Sequence, residues 1–207
     1  MNLRTKDFKT LEWHGESLGK DDKKEAKLRN DSYQVRKISL VRRGKVAEKQ
    51  IKLIAYEMPL DPPSQKGGYR RNCIDLLGIN NSQRPYIFEL KKTNGDDLPK
   101  TIQQINKYQN KFEKIREYIE KEITEKINEE TVFLGFELKK EKKFKFNGRS
   151  SKIILAPKEY YNRQRKKGKY IKPNEDIEYC YFSCKEGNIS KQPVLKLHFK
   201  WCSKSEQ

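Results

Sequence analysis

The chain has 207 residues, 34% of them hydrophobic and 37% charged, and its 47 Lys and Arg outnumber 29 Asp and Glu for a formal charge of +18. That length suits one domain with a core of its own, a charge this large favours a polyanionic partner over self-association, and four cysteines do not make a disulfide framework. No apolar run approaches the roughly 20 residues of a membrane span and none opens the chain as a signal peptide would, so the expectation is a soluble, cytoplasmic protein without a membrane partner.

Residues 1–43 read as a basic N-terminal extension, with ten Lys or Arg against four acids between Lys20 and Lys45. Trp13 and His14 stand in a weak pattern there, and His14 reads as a surface histidine. Tyr33, Val35, Ile38, Leu40 and Val41 fit a short helix or a strand. Over 44–58 the residues Ala47, Ile51, Ile54, Ala55 and Met58 recur at helical spacing, which predicts a helix ended by Pro59. Proline and the Gly67-Gly68 pair make 59–70 a loop, and Arg70 and Arg71 lead out of it, placed to meet phosphates or local acids.

From Arg71 to Lys92 the chain reads as a β-hairpin. Ile74, Leu76, Leu77 and Ile79 form one apolar run, Asn80 to Gln83 supply turn chemistry, and Tyr86, Ile87, Phe88 and Leu90 form the second run. Asp75, Glu89 and Lys91 lie inside these runs, where an unpaired charge is costly. Alternation puts Glu89 and Lys91 on one face, so two carboxylates and a lysine on neighbouring strands can meet around one divalent cation. Asp97 and Pro99 then open a helix over 98–130, with an apolar stripe from Ile102 to Ile127. Gln104 and Tyr108 stack on one of its faces.

Strands follow at 131–138 and 151–156, then a short helix from Lys158 to Arg165. Between Lys139 and Lys172 fourteen Lys or Arg face only Glu141 and Glu159, and aromatics are interleaved, as suits nucleic acid. Arg163, Arg165, Lys166, Lys167 and Lys169 are its densest part. Two strands, 177–184 and 194–201, end the chain as a hairpin. Cys180, Cys184, His198 and Cys202 are four potential zinc ligands, but Cys180 and Cys184 on a strand would lie about 13 Å apart, so they read as ordinary thiols. Cys73 reads as a small packing residue.

The pattern Asp75, then Glu89-Leu90-Lys91, then Gln104-x-x-x-Tyr108 opening a helix resembles the PD-(D/E)XK nuclease superfamily over roughly residues 51–161. The resemblance implies an α/β fold with a restriction-endonuclease-like core, a central mixed β-sheet flanked by helices in αβββαβ order. The C-terminal hairpin would be added to it. One nuclease-like domain would span 1–207, with its core at 44–165 and a basic loop and hairpin at 166–207. It implies a Mg²⁺-dependent deoxyribonuclease, endonuclease favoured over exonuclease, with Mn²⁺ as the alternative metal. Asp75, Glu89 and the Leu90 carbonyl would hold the cation, with a helix glutamate, Glu57 or else Glu48. Lys91 would act on the attacking water, and Gln104 and Tyr108 would position a phosphate or the lysine. DNA is the expected partner, and a homodimer stays open. The other readings are an inactive nuclease-like DNA-binding module and an RNA-associated basic protein.

Overall fold

An antiparallel meander comes first: β1 (Lys37–Arg42), β2 (Lys45–Pro59), β3 (Cys73–Asn80) and β4 (Pro85–Leu90) pair each with the next. Helix α1 (Leu98–Glu129) then crosses to β5 (Ser151–Ala156), which lies parallel to β4. Helix α2 (Lys158–Lys166) crosses to β6 (Ile177–Phe182), parallel to β5, and β7 (Leu195–Trp201) returns antiparallel. The structure is a computed structural model that describes residues 37–42, 45–60, 72–129, 143–167, 176–182, 189, 191 and 195–201.

Pairing of β7 parallel to β1 closes the sheet into a seven-stranded mixed barrel. The restriction-endonuclease-like sheet of αβββαβ order expected from the sequence is therefore corrected: the described residues form a closed barrel with two helices, not an open sheet flanked by helices. The helix expected at 44–58 is corrected first: Lys45–Pro59 is strand β2. The β2–β3 register shifts between Leu53 and Ala55. Such a bulge adds a residue and breaks the two-residue period. Ile51 and Leu53 thus join one apolar cluster while Ile54, Ala55 and Met58 join the other, and the mixture imitates helical spacing. Gly78 on β3 allows the close approach of bulged β2, since a β-carbon there would stand 2.5 Å from the Ile51 side chain. The expected strand at 131–138 lies outside the described residues.

Two cores result. Ile38, Leu40, Ile51, Leu53, Leu76, Phe88, Leu90, Ile153, Leu155, Cys180 and Leu197 come from all seven strands and include no helix residue, so they fill the lumen. A barrel packed this way is a core and not a channel. The opposite faces of the strands pack under Ile105, Phe112, Ile115, Ile119 and Ile123 of α1 and Tyr160 and Tyr161 of α2. Parallel neighbours need a crossover, and α1 supplies the one between β4 and β5, which lays its first turns against β4. No helix among the described residues is long and apolar enough to cross a membrane.

The helix-covered core is rich in tyrosine. The Tyr161 hydroxyl, fully buried, donates toward the carbonyls of Ile154 (2.7 Å) and Cys180 (2.9 Å), tying α2 to β5 and β6. Burial pushes the phenols of Tyr160, Tyr161 and Tyr179 upward, the last to about 12. A raised phenol stays protonated in the fold after the unfolded chain has lost that proton, so stability is full below pH about 10 and falls above it. Melting temperature should hold level from pH 8 to 9.5 and drop steeply by pH 11, at up to about 1.4 kcal/mol per pH unit for each tyrosine. Thermal melts across that range check it, and a flat profile would count against the buried cluster.

Candidate active site

The β3–β4 hairpin is set by its turn. Asn80 Oδ1 accepts from the Ser82 and Arg84 amides at 3.1 and 2.9 Å, and Gln83 takes a positive φ of 61°. That turn fixes the register, Leu76 opposite Phe88. Continued by one residue, the register puts Asp75 opposite Glu89. Continued by three, it puts Cys73 opposite Lys91. Phe88 and Leu90 point into the lumen, so Glu89 and Lys91 face outward toward α1. The backbone amide of Lys91 donates to Leu155 (2.9 Å), which keeps it in line with β5 just past the end of β4.

All three charges are buried, Asp75 at 7% exposure, Glu89 at 1% and Lys91 at 4%. Asp75 Oδ2 accepts from the Leu90 amide at 2.7 Å. Lys91 Nζ donates to Glu89 Oε1 at 2.7 Å and to Gln104 Oε1 at 3.4 Å. Gln104 Nε2 in turn donates to the Tyr108 hydroxyl at 2.8 Å. One connected chain thus runs Glu89, Lys91, Gln104, Tyr108, with Asp75 beside it on the neighbouring strand. Burial pushes the Tyr108 phenol well above its usual range, and the Glu89 carboxylate, and more weakly that of Asp75, push it further, against the Gln104 hydrogen bond. That hydroxyl stays protonated at neutral pH.

Asp75 and Glu89 thus bring carboxylate oxygens from neighbouring strands to the same outer face of the sheet, with the Lys91 ammonium on Glu89. The donor set fits a hard divalent cation: Mg²⁺ takes oxygen ligands, binds through one or two carboxylates and keeps several waters. Asp75 and Glu89 would supply the carboxylates. Among the described residues no group of three or more His, Cys, Asp and Glu side chains gathers to hold a metal.

Glu57 is on strand β2 and not on a helix, which corrects its expected setting. Its flanking residues pair as Tyr56 with Leu76 and Met58 with Ile74, so Glu57 sits opposite Asp75 on the other side of β3. It is half-buried with φ of +45°, a backbone state that costs a non-glycine residue free energy. Glu48 lies on the same strand. The Leu90 side chain fills the lumen while its amide holds Asp75.

The basic candidates divide. Arg163 donates to the Gly95 carbonyl at 2.6 Å and lies over the Tyr160 ring, and Lys167 pairs with Asp97 at 3.6 Å. Arg165 and Lys166 are exposed on α2. Arg70, Arg71 and Lys169 lie outside the described residues, as do Trp13, His14, Cys184 and Cys202. Cys180 faces the lumen, whereas His198 stacks on Tyr181 at 5.3 Å, and Tyr181 packs against the helix-covered core.

Sequence reasoning missed the brace behind the site. Tyr160 donates to the Asp96 carbonyl (2.8 Å), and Gln164 Oε1 accepts from the Leu98 amide (3.2 Å). With Arg163 they fix the 95–98 loop from which α1 starts, and so the placement of Gln104 and Tyr108. The partners are more than 60 positions apart, and no local pattern announces them.

Comparison of the chain with family models, curated proteins and solved structures returns no match.

Proposed function

We propose that the protein is a Mg²⁺-dependent phosphodiesterase that cleaves DNA, acting as an endonuclease. The observation that carries this reading is the buried chain Glu89–Lys91–Gln104–Tyr108, with buried Asp75 on the neighbouring strand held by the Leu90 amide. Burying three charges on one patch of sheet is costly for a merely structural surface, and the arrangement is the one that phosphoryl chemistry needs. The residue pattern resembles that of the PD-(D/E)XK site, carried here on the outer face of a closed barrel.

A bound divalent cation would polarise the scissile diester and lower the pKa of a coordinated water. Asp75 and Glu89 would hold it. Lys91, fixed by Glu89 on one side and Gln104 on the other, places an ammonium where negative charge grows on the phosphoryl oxygens. Tyr108 accepts from Gln104, and its protonated hydroxyl keeps a hydrogen to donate to a phosphate oxygen. The +18 charge of the chain draws DNA toward the protein.

Incubation of the protein with linear, circular and single-stranded DNA, in Mg²⁺ or in EDTA, tests the proposal. Cutting of closed circles in Mg²⁺ and none in EDTA is the expected result. DNA binding without cutting under any metal condition would mean an inactive binding module instead, and salt-sensitive binding to RNA alone would favour the RNA-associated alternative. Gln104→Ala should lower kcat about 10-fold with little change in KM, because it loosens Lys91 without removing a charge, and steady-state kinetics would show the split.

A further inference from the structure

The outward edge of α1 carries Lys100, Lys107, Lys114 and Lys121, all exposed and seven residues apart. Seven residues are nearly two turns, so the four ammonium groups form one row with steps of about 10 Å, about 30 Å in all. Lys100, Lys107 and Lys114 make no ion pair among the described residues, and Lys121 has only a loose one, 3.8 Å to exposed Glu125. Segment 143–150 does not cover this edge. Its hydrogen-bond and ring partners on α1, Gln109, Phe112, Glu113, Arg116, Glu120 and Thr124, lie on another side of the helix. Gln104 falls on the helix wheel just beside Lys100 and Lys107, so the row begins at the candidate active site. Within the row, between Lys114 and Lys121, stands Tyr118, the one exposed large hydrophobic side chain among the described residues, at 36%.

We propose that this edge of α1 is a binding track for a single strand of nucleic acid, free or in a locally opened duplex, leading to the Asp75–Glu89 site. The lysines neutralise successive stretches of backbone phosphate, and Tyr118 is a platform for an unpaired base. The aromatic decides the strandedness: bases of a duplex are stacked inside the helix and offer no face to a surface ring, whereas an unpaired base does. The track depends on the phosphodiesterase reading only for its destination, and binding measured without metal keeps the two separable.

Fluorescence anisotropy in EDTA, with a labelled oligothymidylate of about 20 nucleotides and a hairpin duplex of similar charge, tests the track over a salt series. For the oligothymidylate, replacing all four lysines with glutamine should lower the slope of log K against log salt by about 3, at about 0.7 per lost contact. Tyr118→Ala should weaken oligothymidylate binding about 10-fold and leave the hairpin unaffected, and Tyr118→Phe should restore it. All five side chains are exposed, Tyr118 at 36%, and circular dichroism of each variant checks that it is folded. An unchanged salt slope in the glutamine variant would overturn the track. Equal binding of hairpin and oligothymidylate with no effect of Tyr118→Ala would overturn its single-strand character. DNA cleavage that persists alongside either result would leave the active site standing without it.

Discussion

Asparagine in place of Asp75 is expected to lower Mg²⁺-dependent DNA hydrolysis by at least about 1,000-fold, with the folded protein as stable as before. The side chain has two jobs that this substitution separates. Its Oδ2 accepts the Leu90 amide at 2.7 Å, and an asparagine oxygen can do the same within nearly the same volume. Its charge, opposed to Glu89, is the part that asparagine lacks. Asparagine keeps both the acceptor and the volume, so the melting temperature should hold. Alanine is a poorer test, because it also leaves the buried Leu90 amide without its acceptor, at a cost of about 1–3 kcal/mol. Plasmid cleavage over a Mg²⁺ series, beside a thermal melt of each variant, reads both effects. Cutting by the asparagine variant at the wild-type rate would remove Asp75 from the chemistry.

Lys91→Ala should cost both stability and activity. The Lys91–Glu89 pair is almost fully buried at 2.7 Å, and removing the lysine takes a charged hydrogen-bond donor from a buried carboxylate. Breaking such a pair costs about 3–5 kcal/mol, which for a chain of this length is a fall of about 6–20 °C in melting temperature. Neutralising both members, as Lys91→Met with Glu89→Gln, should recover most of that stability and none of the activity. Mg²⁺ should raise the melting temperature of Lys91→Ala more than that of the wild type, because the cation then supplies the missing positive charge. Calorimetry with and without Mg²⁺ measures this difference. An equal response of both proteins would mean that the cation binds away from Glu89.

Local chemistry made much of this frame legible. The Asn80–Gln83 turn and the apolar runs beside it mark the β3–β4 hairpin, and the stripe from Ile105 to Ile123 marks α1 almost to its ends. Asp75, Glu89 and Lys91 stood out for one physical reason: charges inside apolar strands need partners. Gln104 and Tyr108 were readable because four residues are close to one helical turn. What local pattern does not contain is pairing at a distance. Contact between β1 and β7 joins residues about 160 positions apart, and closure of the barrel depends on it. The bulge in β2 misled in another way, by shifting Ile54 and Ala55 out of alternation. Glu57 was thereby assigned to a helix, although its place beside Asp75 comes from strand register. Arg163 read as a phosphate contact from charge alone, whereas its guanidinium is turned to the Gly95 carbonyl.

Crystals grown with Mn²⁺ and measured at the manganese absorption edge give the most direct test, since everything proposed for the chemistry depends on two strand carboxylates sharing one cation. An anomalous peak between the Asp75 and Glu89 side chains is the expected result. A peak elsewhere, or none, from protein that cuts DNA in the same Mn²⁺ buffer would contradict it.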